Sequence, residues 1–169
     1  MSITYDPIAT TTLTTTTGVP VTFTSIPQTY TDLIAVVSPL ANANNYDLSI
    51  RYNSDTGSNY SWTGIDFNAD NSGSPYSDRG LNFTFIPTGT NINTTVPYPA
   101  VIHIQDYTST NKYKASLSRN SRDTYGQAFH SGLWRNTNAI TEISFILTGG
   151  GSTTFKAGTT FTIYGIKAE

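Results

Sequence analysis

Ten short runs of alternating apolar and polar residues, separated by Gly, Pro, Asn, Asp and Ser, constrain this chain to β-strands. The clearest case lies between Leu48 and Trp62. Leu48, Ile50 and Tyr52 alternate with Ser49 and Arg51. Asn53-Ser54-Asp55-Thr56-Gly57 then supplies residues that tolerate positive φ or hydrogen-bond their own backbone, and Tyr60 and Trp62 resume the apolar face. The pattern predicts strands over Val21–Ser25, Asp32–Val37, Tyr46–Tyr52, Tyr60–Phe67, Leu81–Ile86, Ala100–Tyr107, Lys112–Ser118, Gln127–Trp134, Ile140–Leu147 and Thr159–Ile166. The breaks, among them Ile26-Pro27, Ser38-Pro39, Pro87 to Gly89 and Gly149-Gly150-Gly151, carry turn chemistry.

No segment keeps an apolar period of 3.6 over three turns. Asn136 to Leu147 comes nearest, yet Ile143 and Phe145 alternate there with Glu142 and Ser144, which favours a strand. A chain of 169 residues is large enough to bury one core without staples. The expected fold is therefore all-β: a two-sheet antiparallel β-sandwich, jelly-roll-like, with an extended N-terminal arm. The expected division is a Thr-rich arm over residues 1–18 and a single sandwich domain over 19–169. Asp66 to Arg79, crowded with Asn, Asp, Ser, Gly and Pro, reads as a long exposed loop.

Only 12% of residues are charged and the net charge is −2, so thirty threonines and many Ser and Asn must keep the surface wet. Nine Lys and Arg, scattered singly, form no stripe that could neutralise phosphates, which argues against nucleic-acid binding. Cysteine is absent, so disulfides and thiolate metal sites are excluded. No run reaches the ~18 apolar residues of a membrane span. The N-terminal residues show no basic and apolar leader pattern, and a product made and kept soluble is expected.

Catalytic chemistry finds little to work with. His103 and His130 are the only imidazoles, and neither sits in a supporting motif; a packing or surface role is the plainer reading of both. Glu occurs only at Glu142 and Glu169, and no pair of aspartates is singled out for glycosidase work. Asp66, Asn68 and Asp70 begin like a calcium loop, but Asn71 stands where such a loop needs Gly and Ser77 where it needs Glu. Asx-turns account for the same residues. No enzyme, cofactor or metal is expected. Trp62 and Tyr76 could stack on sugar rings, whereas Trp134, like most aromatics in a sandwich, reads as core.

Seven of the eight residues from Thr10 to Thr17 are Thr, and the arm carries few large side chains. It reads equally as a strand donated to a neighbouring subunit, with contacts at Ile3, Tyr5, Ile8 and Leu13, or as a segment that forms an edge strand of its own domain or frays in solution.

Five ordered blocks carry a further signal: Ser25-Ile-Pro-Gln-Thr-Tyr-Thr-Asp-Leu33, Leu48 to Tyr60, Ile104-Gln-Asp-Tyr107 with Asn111-Lys-Tyr-Lys114, Gly132 to Ile140, and Phe155 to Ile166. In that order, over roughly residues 20 to 167, they resemble a widespread group of small virion structural proteins of tailed bacteriophages. The resemblance implies a virion component without catalytic or ligand residues. Members look like tail-fibre or other tail components in some phages and capsid-decorating cement proteins in others. Longer tail-fibre relatives carry collagen-like, coiled-coil or second-domain segments that this chain does not. The expectation is thus a decoration protein on the capsid exterior, made in the host cytoplasm, with the major capsid protein and its own copies, as a homotrimer, for partners. The alternative is a tail-fibre or baseplate-associated module that binds a host-surface glycan through Trp62 and Tyr76.

Overall fold

Leu33, Ala35 and Val37 are fully buried while the residues between them reach the other face, the alternation of a strand with one side in a core. Strands of this kind build the computed structural model. It describes residues 5–44, 46–68, 76–122, 126–149 and 153–167, with 68, 76–81 and 122 described through their backbone alone. In chain order the strands are β1 (Tyr5–Thr12), β2 (Thr17–Gly18), β3 (Val21–Phe23), β4 (Asp32–Ser38), β5 (Tyr46–Tyr52), β6 (Tyr60–Asn68) and β7 (Tyr76–Phe83). They continue with β8 (Ile86–Ile92), β9 (Ala100–Ile104), β10 (Lys114–Arg122), β11 (Gly126–Trp134), β12 (Ile143–Thr148), β13 (Thr154–Phe155) and β14 (Thr160–Ile166).

An eight-stranded sheet runs β1-β14-β4-β9-β10-β11-β6-β7, and a four-stranded sheet runs β3-β12-β5-β8; β13 and β2 form a small ladder of their own. The paired strands are antiparallel throughout. The chain changes sheet between β3 and β4, β4 and β5, β5 and β6, β7 and β8, β8 and β9, and β11 and β12, and also from β1 to β3 through β2 and from β12 to β14 through β13. This repeated crossing is what makes the sandwich jelly-roll-like. Leu48, Ile50, Phe145, Phe161 and Ile163 meet between the sheets, with Phe145 and Phe161 ring centroids 5.1 Å apart.

Three expectations change. The N-terminal arm is extended, but residues 5–12 pair with β14 of the same chain, from Tyr5 opposite Ile166 to Thr12 opposite Thr160. Of the two arm readings, this is the edge strand. Of the stretch from Asp66 to Arg79 expected as a loop, residues 66–68 belong to β6 and 76–79 to β7, which pair antiparallel, and residues 69–75 lie outside the described part. The strand expected over Leu81–Ile86 is split between β7 and β8. Alternation runs on through Leu81, Phe83 and Phe85, but β7 ends at Phe83, just after a bulge where Asn82 takes φ of 62°, and the chain bends at Thr84 and Phe85 before β8. β8 in turn runs through Pro87 and Gly89 as an edge strand with irregular register on β5, where a missing N–H is tolerated.

β10 reverses the usual polarity. Its inward row is Lys114, Ser116, Ser118 and Asn120, all buried, while Leu117 points outward and is 54% exposed. β8 packs against β10 and β11 over this row. Small residues let the sheets approach closely: a Cβ on Gly132 of β11 would lie 2.3 Å from Ile86 Cγ2 and 2.8 Å from Ile86 Cδ1. Gly132→Ala is therefore expected to cost about 1–3 kcal/mol by overpacking. Urea unfolding checks this, and an unchanged midpoint would mean that β8 gives way freely.

Candidate functional site

Residues from four of the five blocks, Gln28, Asn53, Tyr107 with Lys114, and Ile140, converge at one end of the sandwich, while the fifth begins at Phe155, paired with Thr17 and Ala41 toward the other end. Asn53 and Ser54 hold left-handed φ of 51° and 53° in the β5–β6 turn, as the turn chemistry predicts. Asn53 Nδ2 donates to the Ala139 carbonyl at 2.8 Å, and its Oδ1 accepts from Thr141 N at 2.9 Å and Glu142 N at 3.0 Å. Gln28 Nε2 donates to the carbonyls of Ile26 at 2.8 Å and Ile140 at 2.9 Å. Ile140 N donates to the Tyr107 carbonyl at 2.8 Å, and the Tyr107 hydroxyl donates to the Pro27 carbonyl. Lys114 Nζ donates to the carbonyls of Lys112 at 2.9 Å and Thr137 at 3.1 Å, and burial lowers its pKa. The loops at this end are thereby tied into one polar knot.

Under the knot lies an aromatic cluster. Trp134 stacks on Tyr60 at 6.3 Å and tilts against Tyr52 at 5.6 Å, and burial pushes both tyrosine phenols well above their ordinary pKa. Trp134 Nε1 donates to Asp55 Oδ2 at 2.7 Å. Burial works against the Asp55 carboxylate, but that indole, the Asn59 amide and the Gly57 N–H outweigh it and hold its pKa below the ordinary aspartate value. A carboxylate depressed in the folded state stabilises above its unfolded pKa, and the benefit is lost as pH falls through the lowered folded value. Stability is thus expected to fall below about pH 4 with a smaller slope in Asp55→Asn than in the parent, read by denaturation at a series of pH values. Equal slopes in the two proteins would remove Asp55 from the acid response. This end is structural, and it leaves two other surfaces as candidates.

The first is the outer face of the eight-stranded sheet. Antiparallel register places Leu117 beside His103 and Ser131, and Phe129 between Arg119 and Ile65. Ile65 is 43% and Phe67 44% exposed, and Phe67 meets Phe129 edge to face at 6.1 Å. Val101 continues the face on β9, opposite Arg119. His103 belongs to this face as well, and its Nε2 lies 2.8 Å from Asp32 Oδ2 while Asp32 Oδ1 accepts from Asp106 N at 2.8 Å. That pair clamps β9 to β4 and to the loop after β9.

The second is a groove of about 420 Å³ between the sheets, where Trp62, Asp66, Phe83 and Phe85 face Asp47 and Asn91. It opens away from the knot: Asp47 lies near the start of β5, about 17 Å along the strand from Tyr52. His130 is buried in its floor, 6.1 Å from the Trp62 ring, and Gly64 makes room, since a Cβ there would lie 2.6 Å from His130 Cδ2. Asp47 Oδ1 accepts from Asn91 N at 3.1 Å, which joins two strands across the mouth.

The residues singled out from sequence are scattered by the fold. Trp62 stands in the groove; Tyr76 lies in β7 opposite Asp66, with its side chain outside the described residues. Ile3 also lies outside them. Tyr5 is exposed and meets Tyr164 edge to face at 6.4 Å, but Ile8 and Leu13 pack on the chain's own core. They are therefore already used within the domain, which removes them as free partner contacts. Among the described residues no group of three or more His, Cys, Asp or Glu could hold a metal ion, and no helix is long and apolar enough to cross a membrane. Of the stretch that begins like a calcium loop, Asp70 and Asn71 fall within residues 69–75, outside the described part.

No family model matches the chain, and no curated protein matches it. Among solved structures it is similar to a mutant of the alginate lyase Aly36B in complex with alginate tetrasaccharide, at 11% identity and a TM-score of 0.39, over 95% of this chain and 80% of that one. It is also similar to Scytalido-glutamic peptidase with a peptide-based transition state analog, at 13% identity and a TM-score of 0.32, over 88% of this chain and 74% of that one. Superpositions this loose carry nothing about the chemistry of the present chain.

Proposed function

We propose that this chain is a non-enzymatic virion structural protein of a tailed bacteriophage that decorates the head, docking the outer face of its eight-stranded sheet on the major capsid protein lattice. One observation carries the docking surface. β10 buries Ser116, Ser118 and Asn120 and turns Leu117 outward, on the same face as exposed Ile65 and Phe67. Folding alone favours the opposite arrangement, so an outward apolar row has its use in a partner. The virion assignment itself rests on the five-block resemblance.

Binding the assembled lattice and not its free subunits stabilises the assembly by linkage. Clustering as homotrimers at local three-fold positions suits a protein that bridges neighbouring subunits. The decisive measurement is copy number in purified particles. Hundreds per particle are expected of a head protein; a few to a few tens would overturn the head assignment in favour of a tail module.

A further inference from the structure

We propose that the groove between the sheets binds a neutral saccharide of one or two rings. Its volume of about 420 Å³ falls within the roughly 300–1,000 Å³ of small-molecule sites. Trp62, Phe83 and Phe85 supply an aromatic wall, and the C–H faces of a pyranose are apolar enough to lie on such rings. Trp62 and Phe83 meet edge to face at 5.9 Å, as do Phe83 and Phe85 at 5.7 Å, so the wall is held by its own packing. Asp66, on the same face of β6 as Trp62, and Asp47 and Asn91 across the groove bring the acceptors and the amide that sugar hydroxyls need.

Charge sets the class of sugar. Among the described residues the groove is lined by two carboxylates and by no Lys or Arg, so a uronate, sialate or phosphosugar would bring its anion against charges of its own sign on Asp47 and Asp66. The inference stands apart from head docking, because the groove lies between the sheets and the docking row lies on the outer face.

The test is a tryptophan-fluorescence titration of the full chain with maltose, lactose, cellobiose and diacetylchitobiose, beside sialyllactose and digalacturonate. Trp134 is buried and bonded to Asp55, which leaves Trp62 as the reporter at the groove. At least one neutral disaccharide is expected to give a saturable change, with both acidic sugars at least about tenfold weaker. Calorimetry should show binding of that sugar weakened at least about tenfold by Trp62→Ala and about threefold or more by Asp66→Asn, with an unaltered circular dichroism spectrum. Overturning results are no saturable response to any neutral disaccharide, an acidic sugar bound as tightly, or wild-type affinity in Trp62→Ala. Occupancy of heads by Trp62→Ala is expected to stay full, so the two readings fail separately.

Discussion

Trp134→Ala is expected to destabilise the fold by about 3–5 kcal/mol, a large part of the roughly 5–15 kcal/mol that holds a domain together. The indole is 1% exposed, packs on Tyr52 and Tyr60, and donates to Asp55. Truncation would open a cavity beneath the knot and leave Asp55 with one donor fewer. Trp134→Phe keeps most of the packing and loses only the N–H, so it should cost about 1–3 kcal/mol. Urea unfolding followed by circular dichroism measures both. A loss below about 1 kcal/mol in the alanine variant, on the order of a surface change, would show that the aromatic cluster does not anchor this end.

Ile65→Glu combined with Leu117→Glu is expected to abolish occupancy of heads while leaving the domain folded. Both side chains are about half exposed and lie on the outer face, so stability should shift by no more than about 0.5 kcal/mol each. Burying each against a partner is worth about 1.5–3 kcal/mol, which implies at least about a hundredfold loss of affinity before the cost of desolvating two carboxylates. Heads stripped of the protein and then titrated with the purified variant give the readout. Full occupancy by the double variant would place the docking surface elsewhere.

Local chemistry made much of this fold legible. Tyr46–Tyr52 ends where the alternation ends, and the Asn53–Gly57 turn takes the conformations its residues favour. Which face of β10 points inward was not legible, because period two is the same whichever row is buried. The answer comes from its neighbours, through Leu117 opposite His103 on one side and Ser131 on the other. The bond from Trp134 to Asp55 spans 79 residues, beyond any local pattern, although an Asx-type turn marked Asp55 as a polar anchor. The groove was half legible: Trp62 stood out as an aromatic able to stack on a sugar ring, while Asp47 and Asn91 reach it only because β5 and β8 lie beside each other.

The pairing of β1 with β14, and of β14 with β4, has a consequence for synthesis. β14 lies between a strand that begins at Tyr5 and one that begins at Asp32, so the eight-stranded sheet is missing an interior member until the last part of the described chain has left the ribosome. Contacts of such long sequence separation make folding slow, and they make it a post-translational event. A nascent chain interrupted before Thr160 would leave the edges of β1 and β4 without the strand that pairs with both, two open edges prone to aggregation.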